Sequence, residues 1–237
     1  MKTILSSGLD ALGIAYTEDT IQNLITYYEM LVETNKVMNL TAITEPEEVA
    51  RKHFLDSSVL LAVEKLPHGT KVIDVGTGAG FPGMVLKILR PDLEVTLVDS
   101  LAKRVHFLED VASALKLCDK LVCIHARAED LARDDKHRER YAFAVSRAVA
   151  SLNTLSEYCL PFVKIGGKMA AYKGPNAEEE LSLAQNAIDI LGGKTASIVP
   201  VAVEGTDLAH NVVFIDKVLS TPTKYPRSGN KPSAKPL

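Results

Sequence analysis

At 237 residues, 46% hydrophobic and 24% charged, the chain has the size and composition of one soluble α/β domain with a short appendage. No run reaches the roughly 18 apolar residues of a membrane span. Residues 1–10 lack the layout of a signal peptide, and three cysteines, Cys118, Cys123 and Cys159, form no C-x-x-C pair, which fits buried free thiols in a cytoplasmic protein. A net charge of −3 argues against a protein that coats nucleic acid, so any such contact must come from a local patch.

Residues 1–67 read as a helical segment packed on the core. Ile21, Leu24, Ile25, Tyr28, Leu31 and Val32 recur at helical spacing, with Thr17 placed to cap and Glu18 and Asp19 in the first turn. A second helix is expected after Thr44, with Pro46 in its first turn, running through His53 and Val59 to about Glu64.

Residues 68–220 alternate strand and helix, the pattern of a Rossmann-like, doubly wound, mostly parallel sheet. Strands are predicted at Lys71–Val75, Glu94–Val98, Leu121–His125, Phe143–Ser146 and Gly167–Tyr172. Ser197–Val203 and Asn211–Val218 should close the sheet as an antiparallel pair. Residues 221–237 hold Lys224, Arg227, Lys231 and Lys235, four prolines and no acid. That basic, Pro-rich tail is expected to be extended, as a disordered end or an arm that touches substrate.

The strongest local signal is Val72-Ile73-Asp74-Val75-Gly76-Thr77-Gly78-Ala79-Gly80-Phe81-Pro82-Gly83. An apolar strand runs into alternate glycines and then a helix, so the backbone turns sharply and a ligand approaches the main chain closely. The overlapping G-x-G-x-x-G also matches the dinucleotide fingerprint. Asp74 argues against that reading, because a carboxylate suits the ammonium of S-adenosylmethionine better than a pyrophosphate. Asp99 ends the second strand, where its two oxygens match a ribose diol. Ala128 and Glu129 follow the third strand, where the adenine should lie. Arg147 ends the fourth and faces the expected acceptor pocket, to meet substrate or cofactor or to pair with a nearby carboxylate.

The chemistry is narrowed by what is missing. An amine-methylating enzyme on nucleic acid typically carries Asn/Asp-Pro-Pro-aromatic after the fourth strand, where this chain has Val145-Ser146-Arg147-Ala148. A pyrimidine-C5 enzyme needs a nucleophilic cysteine, and Cys159-Leu160-Pro161 falls in a predicted helix. An acceptor that already carries a lone pair, such as a purine N7, needs no general base. A small-molecule or protein methyltransferase, a nicotinamide oxidoreductase and a non-catalytic RNA-binding module remain open on these residues alone.

Met38–Ile43, Arg51–Ser57, Asp74–Gly83, Asp99–Arg104, Ser146–Ala148 and Tyr225–Arg227 together resemble the glucose-inhibited division protein B family over nearly the whole chain. The resemblance implies a class I S-adenosylmethionine-dependent methyltransferase acting on N7 of one guanine (guanine 527 in the family's RNA numbering) of 16S ribosomal RNA. Its product is S-adenosylhomocysteine, its substrate the 30S subunit or an assembly intermediate, and no metal is expected. It further implies cofactor contacts from Gly76, Phe81, Asp99, Ser100, Leu101, Ala128, Glu129 and Arg147, joined by Asp74, Gly78 and Gly80 of the loop. With an RNA substrate, Arg51, Lys52, His53, Lys103, Arg104, Lys164, Lys168, Lys173 and Arg227 become candidates for phosphate contacts. A monomer with no obligate protein partner is expected.

Overall fold

The computed structural model describes residues 1–203, 205–206 and 210–237. Its centre is a seven-stranded sheet: β1 (Lys71–Val75), β2 (Glu94–Asp99), β3 (Leu121–His125), β4 (Tyr141–Arg147), β5 (Val163–Lys173), β6 (Gly193–Val201) and β7 (His210–Lys217). The order is β3-β2-β1-β4-β5-β7-β6. All pairs are parallel except those made by β7, which runs antiparallel to both β5 and β6. Strand order therefore reverses between β1 and β4, and ligands of open α/β sheets bind at that point, outside the carboxyl ends of the strands.

The strands are buried on both faces and so read as near-continuous apolar runs such as Val72-Ile73 and Val95-Thr96-Leu97-Val98. One face is covered by α5 (Gly83–Leu89) and α6 (Ala102–Ala114), the other by α8 (Leu152–Cys159) and α9 (Ala177–Ile190). The expected strands are all present, but β4 and β5 begin two and four residues early and β6 is shifted towards its start. At β5 the glycine pair Gly166-Gly167 interrupts the apolar run and hides its earlier start at Val163.

Ahead of the sheet come α1 (Lys2–Ala11), α2 (Glu18–Met38), α3 (Pro46–Val49), a π-helical segment (Ala50–Leu55) and α4 (Asp56–Val63). Thr17 caps α2 as its position predicts: the Thr20 N–H donates to the Thr17 hydroxyl at 3.2 Å, and the Thr17 N–H donates back to Thr20. Leu5, Leu9, Leu24 and Leu31 share one apolar cluster with Val72, Met84 and Leu86. α1 has no side-chain cap, so nothing in the sequence marks its start. Its Gly8 is a packing glycine, since a Cβ there would lie 2.3 Å from Leu55 Cδ1.

The tail departs from its predicted extended form. Thr221, Tyr225, Pro226 and Pro232 are buried, α10 (Lys231–Ala234) packs on α8, and Arg227 makes a two-pronged contact with Glu157, which is 0% exposed. Arg138 donates to the carbonyls of Thr221 and Tyr225. The charged 133–140 stretch, which reads as a surface loop, is thus the clamp that holds the tail. The prediction of buried thiols also needs correction: Cys159 is buried and Cys123 half-buried, but Cys118 is exposed.

Candidate functional site

A cavity of about 460 Å³ opens at the carboxyl ends of β1, β2 and β4, within the ~300–1,000 Å³ usual for small-molecule sites. Gly76, Gly78, Phe81, Asp99, Ser100, Ala128, Glu129 and Arg147 lie on its wall, as the sequence predicts. Gly80 and Leu101 do not. Gly80 is wedged beneath the loop, where a Cβ would meet the Tyr27 hydroxyl at 2.4 Å. Leu101 points outward and is 51% exposed.

The glycine loop is held from below by Asp74. The Thr77 hydroxyl donates to Asp74 Oδ2 at 2.7 Å, and the Gly83 N–H donates to the same oxygen at 2.8 Å. Asp74 is 0% exposed and absent from the cavity wall. Burial pushes its carboxyl up to about 6, against the opposing pull of the Thr77 and Gly83 donors. Its place is structural: it ties the loop's start to the first turn of α5 and does not face a ligand ammonium as the sequence reading expects. Gly76 sits at φ +71°, and a side chain there would strike Val149 at 2.6 Å.

Asp99 organises the second strand end. Its Oδ2 accepts the Gly78 N–H and its Oδ1 the Leu101 N–H, both at 2.9 Å. Oδ1 keeps a lone pair for a ribose hydroxyl, and the second hydroxyl of a diol would compete for Oδ2 with the Arg104 guanidinium. Arg104 approaches Oδ2 at 3.4 Å. Glu129 is the second residue of α7 (Ala128–Leu131), 2% exposed and paired with Arg127 at 2.5 Å. Asp99 and Glu129 thus place two buried, ion-paired carboxylates on one cavity wall, where donors of a ligand can meet them.

Above the loop lies a roof built from the N-terminal helices. Tyr27 on α2 donates its hydroxyl to the Ala79 carbonyl and packs among Phe54, Phe81 and Phe107. Leu40, Thr41 and His53 complete the wall. His53 stacks on Phe81 at 4.5 Å, and the Arg147 guanidinium lies 5.0 Å from the same ring. Arg147 Nη1 donates to Asp56 Oδ2 at 2.7 Å and to the Lys52 carbonyl at 3.0 Å, and Nη2 donates to His53 Nδ1 at 3.2 Å. Asp56 is 1% exposed and also bonds to His210 at 2.7 Å. Arg147 therefore joins β4, the roof and the glycine loop. The carboxylate partner that sequence left as one option is present, and Arg147 still reaches the cavity.

His53 is held neutral: burial and the neighbouring Arg147 charge push it down to about 4. Its Nδ1 lies 3.2 Å from Arg147 Nη2 and 3.1 Å from the Lys52 carbonyl, and its Nε2 shares a hydrogen bond with Thr41 Oγ1 at 2.8 Å. Thr41 Oγ1 also accepts the Ile43 N–H at 3.0 Å. Thr41 thus sits on the cavity wall, anchored to the roof through His53 and the Ile43 N–H.

Of the basic candidates, only His53 and Arg104 line the cavity. Arg51 and Lys52, on the adjoining π-helical turn, pair with Glu47 and Glu48, and Lys103 is exposed on the first turn of α6. Lys173 is tied to Glu180 and the Ala150 carbonyl. Arg227 is spent on Glu157. Lys164 and Lys168 lie at the start of β5, the opposite end of the sheet, and line a different hollow. Sequence reasoning missed Thr41, Arg127, Val149 and Tyr158 on the wall; only Thr41 stands inside a quoted motif. Cys159 is absent from the wall, and burial pushes its thiol upward, so it is no nucleophile. Among the described residues no group of three or more His, Cys, Asp or Glu could hold a metal, and no helix is long and apolar enough to cross a membrane.

A family model described as GidB, rRNA small subunit methyltransferase G, matches residues 20–208. The chain belongs to this family. It is 49% identical over 236 residues to the ribosomal RNA small subunit methyltransferase G of Alkaliphilus metalliredigens (strain QYMF), covering 100% of this chain and 98% of that protein. With the protein of the same name from Clostridium perfringens (strain SM101 / Type A) it shares 47% identity over 234 residues, 99% of this chain and 98% of the other. An S-adenosylmethionine-dependent methyltransferase from Aquifex aeolicus superposes with a TM-score of 0.56 at 17% identity, over 75% of this chain and 96% of that one. That likeness concerns the fold, and it matches the doubly wound sheet seen in this GidB chain.

Proposed function

We propose that this chain transfers the methyl group of S-adenosylmethionine to N7 of a single guanine in 16S ribosomal RNA, acting on the 30S subunit or its assembly intermediate. The observation that carries the reading is a wall with two buried carboxylates and a glycine loop, in a chain matched along its length to rRNA methyltransferases. When bound, the cofactor supplies an electrophilic methyl on a sulfonium and is left as S-adenosylhomocysteine.

The chain's own residues bind and align. Asp99 receives the ribose diol, Glu129 faces the adenine end, and the Gly76–Gly78 backbone leaves room for close approach. Phe81, Leu40 and Val149 keep water from the reaction path. The N7 lone pair attacks without losing a proton, so no general base is required; alignment and desolvation are worth up to roughly 7–11 kcal/mol in such reactions. The Thr41 hydroxyl on the cavity wall can meet the O6 acceptor of guanine and leave the N7 lone pair free to attack. Arg147 acts as a positioning residue for Phe81 and His53.

The test is transfer from isotopically labelled S-adenosylmethionine to 30S subunits lacking the modification, with the product mapped by mass spectrometry. Label at one guanine N7 is expected. Cofactor binding without incorporation into any small-subunit RNA would overturn the substrate assignment.

A further inference from the structure

The end of the sheet opposite the cavity gathers lysines and arginines around two hollows. A hollow of about 530 Å³ at the amino ends of β1, β4 and β5 is lined by Lys65, Lys71, Lys164, Lys168 and Arg140. A second hollow, of about 180 Å³, shares Lys71 and Arg140 and adds Lys120 and Lys136. Adjoining at Lys71 and Arg140, the two hollows form a groove-like surface lined by seven lysines and arginines against two carboxylates, a surplus of five on a chain whose net charge is −3.

Both carboxylates are already occupied: Glu64 pairs with Lys168 at 2.8 Å and Glu94 with Lys71 at 3.4 Å. Among the described residues, Lys65, Lys120, Lys136, Lys164 and Arg140 have no carboxylate within ion-pair distance, and all five are exposed. Like charges gathered this way repel one another, and a bound polyanion relieves the repulsion. The floor is backbone brought close by glycine: a Cβ at Gly167 would lie 2.6 Å from the Ala142 carbonyl. Tyr141 and Phe143 are each 6% exposed, which leaves His68 as the exposed ring on the lining. Such a surface suits a phosphate backbone without reading sequence.

We infer that this groove is a second RNA-binding site, holding the phosphate backbone of a segment other than the one that carries the target base. The inference rests on the RNA substrate proposed above. β1, five residues long at ~3.3 Å per residue, separates groove and cavity by roughly 17 Å, so one unbent single strand laid in the cavity does not also fill the groove. The groove adds affinity and fixes orientation, while the cavity selects the base.

The test uses the full chain with exposed Lys65, Lys136 and Lys164 changed together to alanine. Binding to protein-free 16S RNA and to unmodified 30S subunits is measured between 50 and 200 mM KCl, alongside S-adenosylhomocysteine affinity and methyl transfer. The slope of log K against log salt should flatten by about 2–3, given a slope of ~0.7–0.9 per phosphate contact. KM for the subunit should rise at least ~10-fold, with kcat and cofactor affinity within about twofold of the unsubstituted chain. An unchanged slope and KM would overturn the groove. So would a loss seen with subunits but not with protein-free RNA, since the groove would then hold an acidic ribosomal protein. If the unsubstituted chain shows the groove-dependent slope yet labels no guanine, the guanine assignment fails and the groove stands.

Discussion

The same strands end in two different kinds of chemistry. At their carboxyl ends, charges are buried and tied down: Asp56, Asp99 and Glu129 are each 3% exposed or less, and each has a cationic partner. At their amino ends, Lys65, Lys136 and Lys164 stand in water with no carboxylate partner among the described residues. Buried, hydrogen-bonded charge costs much to rearrange and therefore holds geometry. Exposed, uncompensated charge holds no geometry but attracts a polyanion over a distance set by salt. Alignment of a reaction requires the first kind, and gripping a flexible backbone requires the second.

Substitutions should separate the two ends. The largest effect is expected for Arg147→Ala, which leaves Asp56 buried with His210 as its remaining side-chain partner. Removing one member of a buried pair costs about 3–5 kcal/mol, so urea denaturation should show a loss of that order, together with impaired transfer. Arg147→Lys should rescue little, because one ammonium cannot span Asp56, Lys52 and His53. Gly78→Asp comes next. A Cβ there meets no atom closer than 4.0 Å, and φ +60° is a left-handed conformation that Asp adopts with less strain than most side chains, so the fold should persist at some cost while the added carboxylate enters the cavity. Calorimetry should show S-adenosylhomocysteine affinity lowered at least ~100-fold, about 2.7 kcal/mol.

His53 provides a pH test. Its folded pKa of about 4 lies below the ordinary 6.5, so the unfolded chain binds the proton first and stability falls as pH drops from 6.5 towards 4. Asp74, raised to about 6, acts with the opposite sign over much of that window: its effect stabilises as pH falls through 6. The comparison with His53→Gln isolates the histidine. The unsubstituted protein should lose on the order of 1–3 kcal/mol relative to the variant between pH 7 and 4. A constant difference across that range would place His53 in water. The smallest effect is expected for Tyr27→Phe, which removes one buried hydrogen bond to the Ala79 carbonyl. A loss of about 1–2 kcal/mol should appear in thermal melts, with weaker cofactor binding through the loosened loop. Lys164→Ala should leave stability and S-adenosylhomocysteine affinity unchanged and act on RNA binding alone, which is what makes the two ends distinguishable.

Local signals in the sequence were enough to place the glycine loop, the Thr17 cap, Asp99 and the strand alternation, because each is decided within a few residues. The miss at Asp74 is different in kind. Its neighbours suggest a ligand partner, but whether a carboxylate at a strand end points into a cavity or under a loop depends on the Thr77 and Gly83 donors that capture it. The tail was misread because its anchor is distant, with Arg227 meeting Glu157 across 70 residues. For Lys164 and Lys168 the signal was present and unused: both precede or open the parallel pairing of β5, and starts of parallel strands lie away from the ligand end.

The π-helical run Ala50–Leu55 sets where His53 and the Lys52 carbonyl point. A π turn is an α-helix carrying one residue too many. Excising a single residue there would restore ordinary helical bonding and swing everything on one side by about 100° relative to the other. The Arg147 acceptors and the Thr41 partner would then leave their places with no active-site side chain altered. The roof's aim is thus stored as a length, so this stretch should tolerate changes of residue type far better than any insertion or deletion.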